Sequence, residues 1–90
     1  MRATEKKNLQ QFVNKLAEIN RTKDEAFEFL QDRNGEVNGN RWCCAETNYK
    51  ELLSAGYDFT YKFELYNECE GKIRLMEELM STLAEMNFWK

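Results

Sequence analysis

The chain has 90 residues with 13 basic and 16 acidic side chains, a formal net charge of −3, and neither His nor Pro. That length supports one small domain and no second core. Without His, Ser-His-Asp and Cys-His catalysis are excluded and the commonest metal ligand is missing. At 42% hydrophobic and 32% charged residues the chain is apolar enough to fold.

The weak acidity lacks the basic footprint that nucleic acid or an anionic membrane attracts, so neither is an expected partner. Residues 1–9 are polar and charged, unlike a signal peptide. No apolar run approaches the roughly 20 residues of a membrane helix. Three cysteines, with Cys43 and Cys44 adjacent and Cys69 apart, imply no disulfide framework. A soluble protein of the reducing cytoplasm is expected.

In chain order, Leu9, Phe12, Val13, Leu16 and Ile19 recur on one helical face. This first helix is expected to stop near Asn20. Thr22-Lys23-Asp24-Glu25 has the form of a capping box and predicts a second helix, in which Ala26, Phe27, Phe29 and Leu30 are apolar. Asn34-Gly35 would end it, with Gly35 in the left-handed position past the last turn. Residues 34–41 hold two Asn-Gly pairs and read as a loop. Trp42, Cys43, Cys44 and Ala45 form an apolar knot that would anchor this loop to the core. Asn48 and Glu51 fit a cap pair for a third helix over about 48–55, closed by Gly56.

Residues 57–66 fit two patterns. Tyr57, Phe59, Tyr61, Phe63 and Leu65 alternate with polar residues, as in a strand. Leu52, Phe59, Tyr66, Ile73 and Met80 also recur every seven residues, as along a helix. The helical reading is preferred, because a strand would have only short pieces near 37–45 as partners, and an isolated ribbon is marginal. Asn67 with Glu70 offers a further cap pair, and a final helix over about 68–88 has a wide apolar face, from Ile73, Leu75 and Met76 to Leu83 and Met86.

The expected fold is therefore all-α, a single domain over residues 1–90 made of four to five helices with a long C-terminal one. The alternative is α+β, with a hairpin around 37–45 and a strand at 57–66. Homodimerisation through the stripe from Phe59 to Leu83 would relieve the modest stability of so small a core.

Few residue clusters suggest chemistry. Adjacent cysteines do not converge on a zinc tetrahedron, so all three thiols are read as small buried hydrophobes. Asp58 with Glu70-Gly71-Lys72 matches the carboxylate and lysine spacing of some metal-dependent nucleases, but that motif needs a strand hairpin. No glycine-rich phosphate loop occurs. No enzymatic activity, cofactor or metal is expected.

Charge and aromatic content point to protein binding. Residues 1–45 carry a net +1 and residues 46–90 a net −4. Six glutamates, Glu64, Glu68, Glu70, Glu77, Glu78 and Glu85, fall on the final elements, where they could steer the chain onto a basic surface. Twelve aromatic residues are more than one small core can hide, and tyrosine and tryptophan are enriched at binding hot spots. The expected docking face comprises Trp42, Tyr61, Glu64, Glu68, Glu70, Glu77, Glu78, Phe88 and Trp89. Small phage-like inhibitors encoded by mobile elements share this make-up: short, acidic, rich in Asn and without motifs. The function expected from sequence is thus a non-catalytic protein-binding module, in its sharper form such an inhibitor, whose partner is a protein with a basic surface. A regulatory homo-oligomer is the alternative.

Overall fold

The computed structural model describes residues 3–86 of the chain. They form three helices, α1 (Ala3–Asn38), α2 (Ala45–Ser54) and α3 (Thr60–Glu85). No strand occurs among the described residues. The all-α reading therefore holds, with three helices rather than four or five, and the hairpin and strand of the alternative are absent.

The two N-terminal helices expected from sequence are one. α1 runs for 36 residues, about 54 Å at the α-helical rise, which matches the 54 Å long axis of the molecule. The expected break at residues 20–22 fails because both polar side chains turn back onto their own helix. The Asn20 amide donates to the Leu16 carbonyl at 3.1 Å, and the Thr22 hydroxyl donates to the Glu18 carbonyl at 3.1 Å. Residues that could cap a helix start are thereby absorbed mid-helix. Buried Ile19, Ala26 and Leu30 keep one face continuous across the point.

Gly35 does not end α1 either. Gly39, at φ 75°, takes the left-handed position instead, and its N–H donates to the Gly35 carbonyl at 3.0 Å. The use of Gly35 is different. A Cβ there would lie 2.9 Å from Cγ of Arg41, so the missing side chain lets the following loop cross close over α1. Arg41 then pairs with Asp32 at 2.6 Å.

α2 ends as the sequence indicates. Gly56 has φ 93°, the Tyr57 N–H donates to the Leu52 carbonyl at 2.9 Å, and the Gly56 N–H donates to the Leu53 carbonyl at 3.0 Å. This is the paired closure of a Schellman motif. Asp58 then prepares α3, accepting from the Thr60 N–H at 3.0 Å and from the Thr60 hydroxyl at 2.6 Å. The strand-like alternation thus resolves into a turn and a helix start. Residue 67, expected as a cap, lies inside α3.

The core has two parts. Ile19, Cys69 and Ile73 form one cluster, flanked by Leu16, Leu65 and Met76. Leu30, Ala45 and Leu52 form the other, flanked by aromatic rings that include Phe59 and Phe63. Tyr49 stacks on Phe63 with centroids 4.5 Å apart, and Phe29 meets Phe59 edge-on at 5.0 Å. The front of the stripe expected to serve dimerisation is therefore packed inside the monomer. Beyond α2, only α1 and α3 remain to cover each other.

A polar network fixes the head of this structure. Asn34 and Asn48 are fully buried. Oδ1 of Asn48 accepts from the Asn34 amide at 3.0 Å and from the Trp42 N–H at 3.1 Å. Its Nδ2 donates to the Trp42 carbonyl at 2.8 Å and to the Cys44 carbonyl at 3.1 Å. Asn48 is thus an interior residue of α2 and not its cap. Glu51 completes the network, accepting from Asn34 at 2.9 Å, Asn40 at 3.0 Å and the Trp42 indole at 2.9 Å.

Two expectations follow from the network. Asn48→Ala leaves backbone groups of the loop unsatisfied beside a small void, and should lower stability by about 3 kcal/mol, measured by urea unfolding. Glu51 is held below the ordinary glutamate range, first by its hydrogen bond from Asn34 and then by those from Trp42 and Asn40. The unfolded chain therefore takes up the proton first, so this stabilisation is complete above the ordinary glutamate range and is lost as pH falls through the lowered value. Glu51→Gln should flatten that acid limb of a stability-against-pH profile.

Candidate functional site

α3 is the element that carries the candidate docking residues, and its rotation about its own axis sorts them. Tyr61, Glu64 and Glu68 follow one another at i, i+3 and i+7, so they share one face. All three are exposed, and Tyr61 retains 61% of its accessible surface. Glu68 pairs with Lys72 at 3.1 Å, whereas Glu64 has no ion pair among the described residues. The Lys62 ammonium lies 6.0 Å from the Tyr61 ring and 4.8 Å from that of Phe29.

Of the remaining expected residues, Glu78 alone borders this face. At 3.6 residues per turn, Glu70 and Glu77 lie roughly 120–140° around α3 from Glu64. Glu70 is half-buried and bridges to Lys23 of α1 at 3.7 Å and to Arg74 at 3.8 Å. Desolvation and the charge of Glu70 push the Tyr66 hydroxyl above its ordinary pKa. Glu78 is exposed at the edge of the Tyr61 face and Glu77 is exposed away from it. Trp42 is 46% exposed, but its indole N–H is tied to Glu51 on the loop. Phe88 and Trp89 lie outside the described residues.

A second group extends the same face and was not anticipated. Leu75, Leu79 and Met86 belong to the wide apolar face of the final helix, and they expose 68%, 47% and 71% of their surface. With Thr82 they repeat at alternating steps of four and three residues, the seam spacing of helix-to-helix packing. The signal was present in the width of the apolar pattern. One neighbouring helix cannot cover so broad a stripe.

The loop before α2 also differs from expectation. Cys43 and Cys44 are exposed, and only Cys69 is buried. Ala45 alone of the apolar knot enters the core. The Thr47 hydroxyl, backed by its N–H, draws the Cys44 thiol below its ordinary pKa. Cys43, Cys44, Phe63, Tyr66, Glu70 and Arg74 are among the residues that line an open cleft between the loop and α3. No group of three or more Cys, Asp or Glu residues able to hold a metal occurs among the described residues. Asp58 lies in the turn before α3, bonded to Thr60, while Glu70 and Lys72 lie along the helix, without the strand hairpin that the nuclease spacing requires. No described helix is long and apolar enough to cross a membrane.

In the folded protein, a thiol reagent should therefore titrate Cys43 and Cys44 promptly and Cys69 only on unfolding. Peptide mapping of the labelled sites checks this; prompt labelling of Cys69 would contradict the packing of the first core cluster.

No family model, no curated protein and no solved structure matches this chain.

Proposed function

We propose that this chain is a non-catalytic protein-binding module that docks the Tyr61, Glu64 and Glu68 face of α3 on a basic surface of a larger protein. The observation that carries this reading is the placement of an exposed tyrosine and two exposed glutamates on one helical face. A helix supplies rigid spacing, so little conformational entropy is lost when the face is occupied. Tyrosine brings apolar area with few rotatable bonds, and the carboxylates steer approach to a positive surface. The inhibitor reading is the sharper form of the same proposal: occupying a basic surface denies it to that protein's own anionic ligand.

Photo-crosslinking residues placed in turn at positions 61 and 64, with position 25 on α1 as control, test it in cells that make the protein. The same partner should be captured from 61 and 64 and not from 25. Glu64→Lys with Glu68→Lys should weaken binding to that partner by about tenfold or more at low salt. Equal capture from all three positions, or an unchanged affinity after double charge reversal, would sink the proposal.

A further inference from the structure

The distal half of α3 carries an apolar edge that the monomer leaves open. Leu75, Leu79 and Met86 are among the most exposed large hydrophobic side chains of the described structure. They lie on one side of the arm formed by α1 and α3 beyond α2. Their spacing, with Thr82, is that of a seam that a second helix fills.

We infer that this seam is an isologous dimer interface in which α3 packs antiparallel on α3 of a second copy. The charge order along the helix selects both the occupant and the direction. Between residues 72 and 86 the cations come first, as Lys72 and Arg74, and the anions follow, as Glu77, Glu78 and Glu85. Two copies side by side in the same direction would set like against like. Antiparallel copies set the positive end of each beside the negative end of the other. A register that layers Leu75 of one copy on Leu79 of the other brings Lys72 within about one helical turn of the second copy's Glu85. The pairing is self-complementary, as a twofold interface requires.

The same register places Glu78 of the two copies across the axis from each other. Their repulsion limits the affinity, and Glu78→Gln relieves it. Lys72 is engaged in the monomer with Glu68 at 3.1 Å, both side chains being more than half exposed. Such a surface pair holds little energy and gives way readily to a second carboxylate. The inference does not rest on the docking role of Tyr61, because the seam lies further along the helix.

Sedimentation equilibrium of the full chain over a wide concentration range tests it. The expected result is a concentration-dependent monomer–dimer mass. Leu75→Glu with Leu79→Glu should raise the dissociation constant by about a hundredfold or more. Because both side chains are exposed in the monomer, helicity measured by circular dichroism should be retained. Glu78→Gln should tighten the dimer. Lys72→Glu should weaken it, and adding Glu85→Lys to Lys72→Glu should restore it. A purely monomeric wild-type chain, or a dimer indifferent to the double leucine change, overturns the inference. Either result leaves the crosslinking test of the Tyr61 face unaffected. The converse also holds: loss of the docking partner on reversing Glu64 alone says nothing about the dimer.

Discussion

The side-chain amide of Asn48 is the contact on which the head of the molecule depends. The loop between α1 and α2 has no ladder of its own, yet its backbone runs against the protein and must be paired. An amide is suited to this because it donates and accepts at one end of one short side chain. Asn48 spends its donors on the carbonyls of Trp42 and Cys44 and its acceptor on the Trp42 N–H and Asn34. A ten-residue helix such as α2 is too short to persist alone in water. Its amide clamp and the burial of Leu52 hold it, and α2 in turn covers Leu30.

This arrangement divides the molecule along its length. Near α2, three helices surround a cluster of aromatic rings, and side chains such as Leu30 and Leu52 lose all contact with solvent. Further along, α1 and α3 have only each other, and Val13, Leu75 and Leu79 stay exposed. Two helices bury a single seam between them. An apolar pattern wider than that seam must leave an edge outside. The exposed leucines are thus a geometric consequence of stopping at two helices.

Long-range periodicity was legible in the sequence and local punctuation was less so. The helical class followed from the stripe through Phe59, Tyr66 and Ile73, and Gly56 was read correctly as a stop. Thr22 and Asn48 misled because a short polar side chain that can cap a helix can also bond inside one, and Asn67 lies exposed within α3. Which of these it does is set by the tertiary partner, and Asn34 lies 14 residues from the Asn48 it meets. The proposed docking face was legible in the same uneven way. Tyr61, Glu64 and Glu68 share a face by spacing alone. Glu70 turns inward because Lys23 of α1 waits there, and nothing local announces a partner so distant in sequence. The wide apolar face that holds Leu75 and Leu79 was legible, but its exposure was not, because the number of neighbouring helices is set by the whole chain.

The two surfaces of α3 can be used together. In the antiparallel register the twofold axis passes near residue 77, and Glu64 stands 13 residues away, about 20 Å along the helix. That is beyond the level of the second copy's Met86, so Tyr61 and Glu64 remain clear of its described residues. The proposed dimer would therefore display two acidic, aromatic ends about 40 Å apart. A partner with repeated basic sites at that spacing would meet the second end at a high effective concentration once the first had bound. Glu68 stands level with the second copy's Met86, so each free end offers Tyr61 and Glu64, and modest affinity at each would then suffice. In the proposed assembly the apolar seam would set the spacing and the polar ends would meet the partner, with both carried on a single helix.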